Sequence, residues 1–143
     1  MNVRHVTLVV VLLLAVGLAH ESRQVGPYKL VVGFLQNPAF AGYPNSLDLR
    51  VTTSDGKPVE GLEKTLRAEI IAPNGERFEV EVRPVHGQPR FYRGWFIPTL
   101  AGNYVWRIFG QIGDLVVDES FGKFFHSEVA VLDPDRYSVP RRR

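Results

Sequence analysis

Apolar and polar residues alternate with a period of two through much of this chain. In Ser46–Thr53, Leu47, Leu49 and Val51 share one side while Asp48, Arg50 and Thr52 share the other. Successive side chains of a β-strand point to opposite faces, so this is the pattern of a strand with one face buried. Thr65–Ala72 repeats it, with Leu66, Ala68 and Ile70 set against Arg67, Glu69 and Ile71. Arg77–Arg83 repeats it again, with Phe78, Val80 and Val82 between Arg77, Glu79, Glu81 and Arg83. Pro73-Asn74-Gly75 joins these two segments and predicts a tight hairpin, because Asn-Gly tolerates the positive φ angles such a turn requires. Tyr28–Leu35 reads as a first strand of mixed burial. Phe91–Ile97 is an aromatic-rich strand with Tyr92, Trp95 and Phe96, and Leu115–Glu119 pairs back after a turn at Gly110–Asp114.

The segments between are rich in turn formers. Glu21–Pro27 reads as a polar lead-in. Asn37–Asn45, with Pro38, Gly42 and Pro44, reads as a rigid connection that presents Phe40 and Tyr43. Asp55-Gly56 and Pro58 end one strand, Pro84–Arg90 is a loop carrying His86, and Asp133-Pro134-Asp135 begins a tail. The stretch Pro98–Trp106 organises the rest. Gly102 turns the chain, and Tyr104 opens a strand whose inward set continues with Trp106 and Ile108. In immunoglobulin-like sandwiches a Tyr so placed lays its ring on the core and returns its hydroxyl to upstream backbone. No apolar period of 3.6 persists for three turns. The expected fold is all-β, an antiparallel immunoglobulin-like sandwich of about seven or eight strands.

The first residues follow another pattern. Met1–His5 carries one Arg, Val6–Leu18 is almost purely apolar, and Gly17-Leu18-Ala19 supplies small residues at a cleavage position. That order is the order of a secretory signal, and its apolar run falls short of the ~20 residues of a spanning helix. The expected organisation is therefore a leader helix over 1–19, a sandwich domain over 20–132 and a basic tail over 133–143. An uncleaved anchor is the competing reading of 1–19. An exported protein follows, its leader engaging the membrane during export. A cut after Ala19 leaves His20 as the first mature residue.

Composition narrows the chemistry. The chain of 143 residues has no Cys, and its one Met is the initiator, so neither disulfides nor a soft sulfur site for Cu(I) is available. The net charge of +2 shrinks when Arg4 leaves with the leader, so no nucleic-acid surface is implied. The terminal Arg141, Arg142 and Arg143 read as a solvated tail, with an anionic membrane surface as the alternative partner. No nucleophile elbow, H-E-x-x-H, phosphate loop or S-x-x-K occurs, and Ser127 beside His126 would point to the opposite face of a strand. Asp114, Asp118 and Glu119 lack the spacing of a calcium loop. A non-enzymatic role is expected. Three histidines remain after processing: His20, His86 and His126. A terminal His offers an α-amino group and an imidazole on one residue, a pair that suits Cu(II). If the arm folds back along the sandwich, His126 or His86 would add a second imidazole.

The chain also resembles the exported YtkA-like and FixH-like group of small immunoglobulin-like domains and, more distantly, the CopC-type periplasmic copper-binding proteins. The resemblance spans roughly Tyr28–Phe125. It is carried by Asn37-Pro38-Ala39-Phe40 with Asn45, by Asp55-Gly56-Lys57-Pro58-Val59-Glu60-Gly61-Leu62, and by Pro98-Thr99 with Gly102 and Tyr104. It implies an exported sandwich working beside a copper transporter or a respiratory-complex membrane protein. Those copper-binding relatives are similar in beginning the mature chain with His after an Ala, which His20 matches. Their second His closely follows an Asp late in the chain, whereas the Asp nearest before His126 is Asp118. Two functions are thus expected: Cu(II) binding through His20, or a metal-free module that docks on a membrane-protein partner through Phe40 and Tyr43.

Overall fold

The computed structural model describes residues 20–122 and 130–140. Their strands are β1 (His20–Val25), β2 (Tyr28–Phe34), β3 (Ala39–Phe40), β4 (Asn45–Thr53), β5 (Leu66–Ile71), β6 (Arg77–Val80), β7 (Arg83–Val85), β8 (Gln88–Phe96), β9 (Gly102–Asn103), β10 (Val105–Ile112), β11 (Leu115–Phe121) and β12 (Ala130–Leu132). Two short 3-10 turns, Leu62–Lys64 and Pro134–Arg136, complete the regular structure, and no α-helix occurs among the described residues. The expected leader helix over 1–19 and the terminal arginines lie outside them.

Three sheets form: β1-β2-β4-β8-β7, β11-β10-β5-β6 and a small β3-β12-β9 cap. Every pairing in the two large sheets is antiparallel. The alternation read from the sequence is what lets them face each other. Leu47, Leu49 and Val51 of β4, Leu66, Ala68 and Ile70 of β5, and Trp106 and Ile108 of β10 are all buried. Phe34 sits at one end of this core, with ring centroids 5.7 Å from Phe96 and 6.1 Å from Trp106. Tyr104 makes the expected corner: its hydroxyl donates to Leu100 O at 2.9 Å and accepts from Leu100 N at 3.3 Å. The Asn74-Gly75 hairpin closes β5 onto β6, with Gly75 at φ 86°.

Four expectations change. The polar lead-in is strand β1, paired with β2 along its whole length from His20↔Gly33 to Val25↔Tyr28. It carries few apolar residues because it is an edge strand whose one buried charge is satisfied. Glu21 accepts Gly122 N–H at 2.8 Å and pairs with Arg23, which also reaches Glu119 at 2.7 Å and lies 4.5 Å over the Phe121 ring. These contacts stitch β1 to β11 along one edge of the sandwich.

The run 77–83 is not one strand. It pairs with β5 only through Val80, then crosses to the other sheet as β7. Gly94 permits the crossing: a Cβ there would lie 2.4 Å from both Glu81 O and Val80 Cγ1. The loop expected at 84–90 is consequently a short hairpin, with Pro84 on the edge strand β7, where a missing N–H costs nothing. The tail expected from Asp133 packs, since Tyr137 meets the Phe40 ring at 5.6 Å.

Candidate functional site

The outer face of the five-stranded sheet holds a row fixed by strand register: His20, Gly33, Asp48, Arg93 and Arg83, on β1, β2, β4, β8 and β7. Neighbouring strands lie about 4.8 Å apart, so the backbones of β1 and β4 are roughly 10 Å apart. His20 nevertheless places Nε2 at 2.8 Å from Asp48 Oδ2. The contact crosses β2 at the one position in that row without a side chain, Gly33. A glycine inside a strand, otherwise a weakening choice, here gives the imidazole its path.

Asp48 is buried and serves three cationic or ionisable neighbours. Arg93 Nη1 donates to Oδ1, Arg50 Nη2 reaches Oδ2 at 3.3 Å, and His20 Nε2 completes the set. Arg50 and Arg93 also flank the Phe91 ring at 4.9 and 5.3 Å. Burial works to raise the Asp48 carboxyl, but the His20 hydrogen bond and the charges of Arg93 and Arg50 outweigh it and hold it below the usual carboxylate range. A carboxylate can only accept, so Nε2 carries the proton facing it. In the neutral ring Nδ1 then keeps its lone pair. The two arginines make a structural ion-pair cluster; His20 adds a fixed tautomer and ring orientation. A metal-ligating His is held in this way, its remote N–H on a carboxylate.

The structure keeps His86 apart from His20. His86 is exposed in the turn between β7 and β8, at the opposite edge of the five-stranded sheet from His20, roughly 19 Å away by strand spacing. His126 lies outside the described residues. Among the described residues no three His, Cys, Asp or Glu side chains gather as a metal-binding group. Measured against Cu(II), the described side chains supply one imidazole and its orienting carboxylate; the second donor of a chelate would be the His20 amino group freed by cleavage.

Phe40 and Tyr43 are differently placed from each other. Phe40 is half-buried in β3 against Tyr137, while Tyr43 is exposed. They line a shallow cleft of about 250 Å³ with Pro134, Tyr137 and Ser138. The larger exposed apolar surface is elsewhere. Phe78, Trp95 and Ile97 are 60%, 60% and 57% exposed and border a cleft of about 330 Å³ between the unpaired side of β6 and the end of β8. Phe78 belongs to the apolar set that the alternation of 77–83 assigned to one face with Val80 and Val82, yet it is left uncovered there. Asp48 was missed as a site residue, because it reads as an ordinary solvent-face residue. The available signal was Gly33, the isolated glycine in the first strand pattern.

No family model and no curated protein sequence matches the chain. Solved structures do. A DUF4426 family protein from Pseudomonas aeruginosa PAO1 is similar over 73% of this chain and 93% of its own, at 16% identity and a TM-score of 0.57. The Lin-41 filamin domain covers 71% of this chain and 91% of its own, at 14% identity and a TM-score of 0.44. The fold is an immunoglobulin-like β-sandwich. At such identities the likeness speaks for fold alone.

Proposed function

We propose that this chain is an exported, non-enzymatic sandwich domain that binds Cu(II) at a mature N-terminal His20, for buffering or delivery to a membrane-protein partner such as a copper transporter or respiratory complex. One observation carries the reading: the Nε2–Asp48 bond orients the imidazole and leaves Nδ1 as its donor, on the residue that a cut after Ala19 would make terminal. The α-amino group and Nδ1 then close a chelate on one residue, and amine with imidazole is a donor set suited to Cu(II). Strand β1 holds this residue rigidly against β2, which lowers the ordering cost of chelation. His126 is the remaining imidazole that this proposal would recruit. His86 is not part of it.

The experiment is a Cu(II) titration of protein that begins at His20, read by electron paramagnetic resonance. Protein retaining Ala19, and the His20→Ala variant, serve as comparisons. Nitrogen hyperfine structure from a tight site in the first protein alone supports the reading. Equal binding in all three overturns it. Asp48→Asn should weaken the site about 10- to 100-fold, as loss of an orienting carboxylate does at other metal-bound histidines.

The other reading is a metal-free docking module. The exposed cleft at Phe78, Trp95 and Ile97 favours it more than the Phe40 and Tyr43 surface, where Phe40 already packs on Tyr137.

A further inference from the structure

We propose that the β6 edge is an interface with a second copy of this chain, the two β6 strands pairing antiparallel across a two-fold axis at Phe78. Among the described residues β6 ends its sheet, so its outer backbone groups face away from β5. Such an edge is a template for another strand, and proteins often blunt it with charge. The charges of β6 do the opposite. With Phe78 opposite Phe78 of the second copy, Arg77 falls opposite the copy's Glu79, and Glu79 opposite its Arg77.

The neighbouring strands make this register favourable. Within one chain Glu79 stands directly opposite Glu69, a like-charge cross-strand pair. Diagonal contacts offset it: Arg67 grips Glu79 at 2.6 and 2.7 Å, and Arg77 reaches Glu69 at 2.6 Å. Since Arg107 lies opposite Glu69 on the other side, the row runs plus, minus, minus. Arg77 of the second copy would complete it with a plus. A shift that sets Glu79 opposite its own copy would instead place two carboxylates together, so the charges select the register.

The apolar side agrees. Phe78 shares the face of Val80 and Ile70 but is 60% exposed, because β7 starts only at Arg83 and, on the side of β8 away from β4, no described strand pairs with it beyond Arg93. Pairing at Phe78 sets the two phenyl rings together and closes each cleft with its Trp95 and Ile97. Covering three such side chains on each copy removes on the order of 700 Å² in total, to which the paired strand edges add, so the contact falls at the small, weak end of specific interfaces. The expected association is therefore micromolar and reversible. The surface lies on the opposite edge of the sandwich from β1, so it is independent of the His20 proposal.

Sedimentation equilibrium from 5 µM to 500 µM tests it. The chain from His20 should self-associate to dimer. Arg77→Glu and Glu79→Arg should each raise the dissociation constant more than about tenfold, by placing like charges opposite each other. The double variant Arg77→Glu with Glu79→Arg should restore dimerisation, because the exchange is symmetric. Phe78→Asp, at a site exposed in the monomer, should abolish association while circular dichroism melting reports an intact fold. A monomer at every concentration overturns the proposal and leaves the edge to a strand of another protein. A dimer indifferent to all four variants overturns it as well.

Discussion

Replacing Asp48 by Asn tests the candidate site at its most buried charge. The wild-type carboxylate is enclosed by His20 and Arg93, each about a fifth exposed, and by Arg50, about two-fifths exposed. Asn keeps one acceptor oxygen but loses the charge, and its amide turns N–H groups toward guanidinium N–H groups. Removing one partner of a fully buried ion pair costs about 3–5 kcal/mol. Arg50 reaches water and the other two partners do so partly, so the expected loss is about 2–3 kcal/mol at pH 7. With a urea m-value of about 1–2 kcal/mol/M, the midpoint should fall by roughly 1–3 M.

The pH dependence supplies the sharper check. The folded-state pKa of Asp48 is depressed, so its stabilisation is complete above the unfolded value near 3.9. It fades as the pH falls through that value toward the lower, folded one. Wild type and Asp48→Asn should therefore differ at pH 7 and converge on acidification below about pH 4. Urea unfolding at pH 7, 5 and 3, followed by tryptophan fluorescence, measures both effects. A difference under about 1 kcal/mol at pH 7, or one that persists unchanged at pH 3, would refute the assignment of Asp48 as an ionised hub.

Three more outcomes follow from the same structure. Gly33→Val places a branched side chain in the path of the imidazole; loss of the Asp48 bond should cost about 1.5 kcal/mol and move the His20 ring nitrogen resonances, and an unchanged ring spectrum would contradict the crossing. Gly94→Ala drives a methyl into the Glu81 carbonyl, a backbone group that cannot rotate away, so thermal denaturation should show a loss of about 1–3 kcal/mol. Tyr92→Phe should destabilise more than Tyr104→Phe in the same assay. The Tyr92 hydroxyl fastens two residues of the long β4–β5 connection, donating to Val59 O at 2.6 Å and accepting from Leu62 N at 3.3 Å, whereas Tyr104 serves Leu100 alone, four residues away in the same turn; each loss should be about 1–3 kcal/mol.

By itself the sequence determined the strands whose burial alternates. Leu47, Leu49 and Val51, or Leu66, Ala68 and Ile70, announce a buried face because the strand period is a local property and the hydrophobic effect has no need of a named partner. Asn74-Gly75 and the Gly102-to-Tyr104 corner were legible for the same reason, since turn chemistry resides in adjacent residues.

Tertiary structure decided everything that depends on register across strands. His20 meets Asp48 only because β2 lies between them with Gly33 at the crossing point, and His86 is kept away only because β7 takes the far edge. The strand at His20–Val25 was hidden too, as an edge strand can be polar when Arg23 and Glu21 satisfy each other. The break after Val80 rests on a close approach to Gly94 that no local pattern records. Alternation tells which side of a strand faces inward; the order of strands, a property of the folded chain as a whole, tells which residues become neighbours.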